Sequence, residues 1–292
     1  MEWRPAAGGG GSSIPVLETT VASLPPATNV DVNDIVYVSD ATGTDYDRFA
    51  ISDGSNWRYL EGGGVNYFGN LPTYEEAVLA LDQIRAYFPL EEAAGAVVTD
   101  ISPAGHTGTI GAGVTLALQG PQAGTSAMGF NGEGTDYIDI ADAAGITFNS
   151  VDDASGAYGI EIWVRIDAGA AGYDPFVDRG GFVSYLLRED GTDQIWRWDD
   201  FDTNYALARS TWHQICYDYL PSTTTERIMV DGGGVGKTFE RVQSIPWSGT
   251  KWRLGQNVDG IHALDGRLAR FFIKGGLHDE ADVALRWQVG ST

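Results

Sequence analysis

The stretch Gly159–Asp167, GIEIWVRID, alternates between apolar and mixed positions. Successive side chains of a strand point to opposite sides, so Ile160, Ile162, Val164 and Ile166 share one face, and Glu161, Trp163, Arg165 and Asp167 the other. β-branched residues dominate and neither Gly nor Pro follows Gly159, which suits a central strand. The pattern predicts one face on a core and one on a half-open surface.

The same period recurs along the chain. DIVYVSDAT sets Ile35, Tyr37 and Ser39 against Val36 and Val38, and RFAISDGSNWRYL reads as two short strands with Asp53-Gly54 and Ser55-Asn56 as turn signals. A helical period appears after Gly62–Gly64. Thr73-Tyr74-Glu75-Glu76 matches a capping box, and Tyr74, Ala77, Val78, Leu81, Ile84 and Phe88 follow at helical spacing until Pro89. This predicts a helix over 73–88, whose single apolar stripe fits packing on its own domain or against copies around a symmetry axis. The late segment GGLHDEADVALRW predicts one more short helical turn through Asp279, Val283 and Leu285.

The expected layout is a flexible N-terminal arm (1–23), a small β module (24–61), a linker with the helix (62–89), a β sandwich (90–275) and a C-terminal tail with a short helix (276–292). The arm, MEWRPAAGGGGSS at its start, cannot build a core; Trp3 is its sizeable apolar group and the residue expected to dock on a partner. A module of about 40 residues is near the size at which oligomerisation is needed for stability.

Composition sharpens this. With 39 Gly, 9 Trp and 13 Tyr in 292 residues, the chain favours many short strands joined by tight turns. Its 18 basic and 40 acidic residues leave a net charge of -22, which repels phosphate backbones and anionic membranes. No apolar run approaches the ~18 residues of a membrane span and no charged-then-apolar leader opens the chain, so no membrane insertion is expected. The one cysteine, Cys216, lies in the alternating run WHQICYDYL and reads as a buried, inert thiol.

Two resemblances extend the reading. LPPA, DIVYVSDAT and FAISDGSNWRYL together resemble the small β module of bacteriophage tail-fibre and head-decoration proteins. From Tyr87 onward, the early D-I-S-P-A-G, then SAMGFNGEGTDYIDI, YGIEIWVRID, STWHQICYDYL, RIMVDGGG and LDGRLARFFIKGG resemble, in order, the landmarks of the laminin-G-like, concanavalin A-like jelly rolls. The fold class expected is therefore all-β: a concanavalin A-like jelly-roll β-sandwich preceded by a small β module and one connecting helix.

Candidate chemistry is thin. Gly232–Thr238 mimics a phosphate-binding loop, but Asp231 stands where its first Gly belongs and TFERVQSIPW is poorly helical; a hairpin turn is the better reading. Glycan hydrolysis needs two carboxylates roughly 5 to 9.5 Å apart. Glu161 and Asp167 lie six residues apart on one strand face, about 20 Å at ~3.3 Å per residue. His106, His213, His262 and His278 are available to a Ser–His–Asp set, yet no G-x-S-x-G elbow occurs. The chain is not expected to be an enzyme. The jelly-roll resemblance implies a calcium site with Asp100 as its early acid, but Ala269 and Arg270 replace the late acidic pair, so no cofactor is expected. The best binding segment is Ile195–Tyr205. There Trp196 and Trp198 would stack on sugar faces while Asp199, Asp200, Asp202 and Asn204 accept from hydroxyls; the bland reading has both tryptophans fill the sandwich or a subunit contact.

The function these readings imply is a phage virion structural protein, a tail fibre or capsid decoration, whose jelly roll binds host or environmental glycans. It would be a homotrimer, assembled in the host cytoplasm and displayed on the virion surface, attached to other virion proteins through its N-terminal region, without nucleic-acid partners. A free lectin-like protein is the alternative, and a glycan hydrolase the less favoured one.

Overall fold

The computed structural model describes residues 72–141, 143, 146, 156–167, 173–179, 184–189, 193–197, 201–242 and 251–291, and six short strands before residue 69. Side chains are described in these ranges except before residue 72 and at 173, 184–202, 204 and 241. The chain divides into two units, Met1–Thr73 and Tyr74–Thr292.

In the first unit, β1 (Trp3–Pro5), β2 (Pro15–Thr19), β3 (Ile35–Val38), β4 (Arg48–Ser52), β5 (Trp57–Tyr59) and β6 (Tyr67–Phe68) form one sheet in sequence order. The strands at 35–38, 48–52 and 57–59 fall where alternation and turn signals place them, with β3 antiparallel to β4 and β4 to β5. The arm expected over 1–23 instead supplies two strands: β1 pairs antiparallel with β2, and β2 runs parallel to β3 through Leu17↔Val36. The reason is PVLET, a β-prone run beside a β3 edge whose backbone groups need partners. The side chain of Trp3 lies outside the described residues.

The second unit opens with α1 (Tyr74–Leu79). Its strands are β7 (Ile84–Phe88), β8 (Val97–Thr99), β9 (Thr107–Ile110), β10 (Thr115–Gln119), β11 (Ser126–Asn131), β12 (Ile138–Ala141), β13 (Tyr158–Ile166), β14 (Tyr173–Asp178), β15 (Ser184–Glu189), β16 (Asp193–Arg197), β17 (Phe201–Ala206), β18 (His213–Leu220), β19 (Thr225–Val230), β20 (Thr238–Val242), β21 (Lys251–Leu254) and β22 (Asp265–Gly275). It ends with α2 (Glu280–Gly290), N-capped by Asp279. One sheet runs β10-β11-β22-β13-β18-β19-β20, with β7 also on β22; the other runs β17-β16-β15-β14-β21-β12-β9-β8. β13 is central as predicted, held between β18 and β22. Ile160, Ile162, Val164 and Ile166 pack inward with Ile138, Ile140, Phe176, Trp252 and Leu254 of the opposite sheet. Each such aliphatic side chain contributes roughly 1.5–3 kcal/mol by leaving water.

Three expectations change. The helix predicted over 73–88 is six residues long, and Ile84–Phe88 is a strand paired with β22 through Phe88↔Phe271 and Tyr87↔Phe272. Ile84, Ala86 and Phe88 satisfy a period of two as well as they approximate 3.6, Gln83 turns the chain at φ 59°, and the long β22 supplies the backbone partners. The sandwich unit therefore begins at Tyr74 rather than 90, and α1 buries Tyr74, Ala77 and Val78 within it. The tail expected over 276–292 is part of the same unit, since α2 is an eleven-residue helix whose Val283 and Val289 are buried.

Candidate functional site

The outer face of β13 is closed over its first half, while Arg165 and Asp167 stay part-exposed at its end. Glu161 and Trp163 are both 0% exposed. Trp163 stacks on Trp287 of α2 with ring centroids 5.3 Å apart and planes at 16°, and meets Tyr74 of α1 edge-on at 5.8 Å. Around them Ala127, Ala269, Phe272 and Tyr87 complete a second apolar layer between sheet and helices. Arg270 clamps this layer from the side. Its backbone adopts φ 56°, next to the irregular β13–β22 register, and its guanidinium lies 4.2 Å from the Tyr74 ring and donates to Gly290 O at 2.9 Å. A non-glycine residue held there costs of order 1–3 kcal/mol, offset by the cap it gives the C-terminus of α2.

Beneath α2 lies a closed polar network. The Glu161 carboxylate accepts from Tyr74 Oη at 2.5 Å, Cys216 Sγ at 3.1 Å and Arg286 Nε at 2.9 Å. Burial pushes this carboxyl up, but the Arg286 charge, His278, Gln214 and the Tyr74 hydroxyl outweigh it and hold it below the ordinary carboxylate range. Beside it Asp218 accepts from the His278 ring at 2.6 Å and from Arg227, and His278, Arg227 and the His278 backbone N–H overcome burial to depress its pKa as well. Burial first, and then Glu161, push the Cys216 thiol up, so it stays protonated.

Glu161, Cys216 and His278 place one ligand atom each within 4.8 Å of one another, the candidate for a metal among the described residues. The donors do not fit one. Both Glu161 oxygens already accept hydrogen bonds, and the Arg286 guanidinium sets its own positive charge 2.9 Å from the carboxylate. Acid–base work on a soluble substrate is closed to Glu161 for the same reasons: it is sealed and ion-paired.

Asp100, the acid the resemblance suggests for calcium, caps a loop. It is buried, and its two oxygens accept backbone N–H groups of Tyr87 and Ser102 at 2.8 Å and His106 at 3.0 Å. Those three donors engage the carboxylate with its own loop, and Arg270, in place of a late acid, donates to the C-terminus of α2. The glycan candidates Trp196, Trp198, Asp199, Asp200, Asp202 and Asn204 have side chains outside the described residues; the backbone places Trp196 on β16 opposite Asp202 of β17. Gly232–Lys237 forms the turn between β19 and β20, closed by Gly233 N to Val230 O at 2.9 Å, as the hairpin reading expects. No helix among the described residues is long and apolar enough to cross a membrane.

Arg286 and Trp287 were not singled out by the sequence pattern, and His278 was weighed only for a Ser–His–Asp set. The available signal was Glu161 itself, since an acid on the middle of a central strand demands a cation, and α2 carries Arg286.

This geometry is that of a familiar β architecture. The binding domain of Paraclostridial Mosquitocidal Protein 1 superposes with a TM-score of 0.51 at 14% identity over 70% of this chain and 52% of its own. Domain 4 of a GH43 extracellular arabinanase from Geobacillus stearothermophilus, in complex with arabinotriose, gives 0.51 at 14% identity over 70% of this chain and 98% of its own. The botulinum neurotoxin serotype D ligand binding domain, in complex with N-acetylneuraminic acid, gives 0.52 at 11% identity over 73% and 52%. The chain thus spans about half the length of the toxin domains, and at these identities the likeness is one of fold. No curated protein sequence matches the chain. The family model of the concanavalin A-like lectin/glucanase superfamily, of laminin G type, matches residues 131–284. That match covers more than half of the chain and runs from the end of β11 through β22 into α2, so the chain belongs to the concanavalin A-like lectin/glucanase superfamily.

Proposed function

We propose that this chain is a non-catalytic glycan-recognition protein carried on the surface of a bacteriophage particle, as a tail fibre or capsid decoration. The observation that carries the recognition reading is the sealing of Glu161. The acid on the central strand is neutralised by Arg286 under α2, which leaves the jelly roll a scaffold for binding rather than for bond cleavage. The jelly roll is of carbohydrate-binding type, and nearly all of an arabinanase domain solved with arabinotriose shares the fold. The virion reading is supported by the small β module before Tyr74, whose DIVYVSDAT and FAISDGSNWRYL resemble phage modules and form the paired strands β3, β4 and β5. In this reading the N-terminal unit attaches the protein to other virion components, three copies assemble, and the sandwich faces outward. The net charge of -22 steers the partner away from nucleic acid.

A glycan array with the full chain, in calcium and in chelator, tests recognition: specific spots that persist in chelator are expected, and a blank array overturns it. Immunogold labelling of purified phage particles tests the location, with light scattering giving the oligomer mass. Label absent from particles, or a strict monomer, overturns the virion half.

A further inference from the structure

The helices cover only part of the outer face of the β13 sheet. Beyond them the register sets up one row: Thr115 opposite Gly129, Gly129 opposite Arg267, and Arg267 opposite Arg165. Trp212 ends the row. It precedes His213, the partner of Val164, and is half-buried at the rim of the Trp163 cluster. At the other end Leu118 lies over Gly129, where an added Cβ would meet its Cδ1 at 2.4 Å.

Two arginines directly opposite on neighbouring strands repel one another. In a chain with 18 basic against 40 acidic residues, opposite-sign neighbours were the easier arrangement. Their shared counter-charge is Asp167, whose carboxylate lies 3.3 Å from Arg165 Nε and 4.0 Å from Arg267 Nε. Neither contact has hydrogen-bond geometry, since both Nε atoms are buried without a hydrogen-bond partner among the described residues. Arg267 spends one N–H on Gln119 O at 3.4 Å. Asp265, next along the same face, interacts with Arg209 as well as Asp167. Two guanidinium forks therefore share one carboxylate while remaining reachable, with side-chain exposures of 25% for Arg165 and 21% for Arg267.

A planar fork matches a carboxylate in two parallel hydrogen bonds, and an aromatic face beside it matches the C–H face of a sugar ring. We infer that Arg165 and Arg267, with Trp212 beside them, form a subsite for the carboxylate of an acidic sugar, of uronic or sialic acid type. A polyphosphate is the wrong occupant, because the field of the whole chain opposes a dense polyanion whereas a single sugar carboxylate meets only the local pair. This inference rests on the glycan-recognition reading above and names its substrate class.

The test is binding of the full chain to immobilised galacturonic acid and sialyllactose, each presenting one carboxylate, against the methyl ester of galacturonic acid and lactose. Wild type should prefer the acidic member of each pair, with a preference that weakens as salt is raised. Arg165→Gln/Arg267→Gln should lose about ten- to hundredfold in affinity for the acidic probes, the worth of charge-assisted hydrogen bonds, and leave the neutral ones unchanged. Arg165→Lys/Arg267→Lys keeps both charges without the fork and should fall between the two; it carries the test if the Gln variant fails to fold. Equal binding of acidic and esterified probes, or acidic binding indifferent to both double variants, overturns the subsite while glycan recognition stands. No binding to any of the four overturns the subsite, and recognition is then decided by the array. A dimer that the Gln variant dissolves would show that the pair takes a carboxylate from a second copy, which also overturns the subsite.

Discussion

Replacing Arg286 by methionine keeps an unbranched apolar stem but removes the guanidinium, whose carbon sits 5.2 Å over the Phe272 ring. It removes the cation that neutralises Glu161. The two side chains are 1% and 0% exposed and 2.9 Å apart, so solvent cannot screen the loss. Breaking such a pair costs about 3–5 kcal/mol, because one charge is left buried and alone. Tyr74 and Cys216 still donate to Glu161, which puts the expectation near the lower end, about 3 kcal/mol. For a unit of about 220 residues each kcal/mol moves Tm by roughly 2–4 °C, so Tm should fall by about 6–12 °C. Glu161→Gln/Arg286→Met removes both charges and should recover about half or more of that loss. Calorimetry on the four proteins of the cycle measures it.

The pH dependence gives an independent check. In the wild type the Glu161 pKa is depressed, so its contribution is present above the unfolded carboxylate value and lost as pH falls through the lower folded value. In Arg286→Met, burial without the cation raises the Glu161 pKa, so that variant regains stability as pH falls toward it. The gap between the two proteins should narrow on acidification. A variant within about 1 kcal/mol of wild type at pH 7, or a gap that widens toward pH 4, would show that the pair does not hold α2 to the sheet.

Other consequences follow from the same network. Gly159→Ala places a Cβ 2.5 Å from His278 Cε1 and 2.8 Å from Asp218 Oδ1, and should cost about 1–3 kcal/mol in urea unfolding by separating that pair; an unchanged midpoint would refute the contact. The Cys216 thiol, fully buried and with its pKa raised, should resist a thiol reagent in native protein at pH 8 and react once in guanidinium; prompt native labelling would refute its burial. Asp218 and Asp139, like Glu161, have depressed pKa values, so their stabilisation should be complete above about pH 4–5 and lost below it. Tm measured from pH 7 down to pH 2.5 should fall only in the acid limb.

The core face of β13 was legible because a period of two needs no other information: Ile160, Ile162, Val164 and Ile166 point one way whatever lies opposite. The order of β7 was not, because Ile84, Ala86 and Phe88 satisfy two periods and the choice is made by β22, almost two hundred residues later. The outer face was misjudged for a similar reason. Glu161 and Trp163 look like surface chemistry in one dimension, and only the return of α2 from the C-terminus buries them. Asp100, an acid at a familiar place in the pattern, accepts three backbone N–H groups, a role that no one-dimensional motif displays.

The strand that organises the sandwich therefore has two outer halves with different roles. From Tyr158 to Trp163 its outward side chains are sealed by α1, α2 and the Arg270 clamp, and a charge there is tolerated because Arg286 is covalently part of the same unit. At Arg165 the cover ends, the sheet row becomes Gly129, Arg267 and Arg165, and among the described residues no helix answers the arginines. Burying a paired charge and exposing an underpaired one on the same strand face are opposite solutions to one electrostatic problem. The first stabilises the jelly roll at the cost of any chemistry by Glu161. The second leaves hydrogen-bonding capacity on a rigid sheet, where a ligand carboxylate can use it without rearranging the fold.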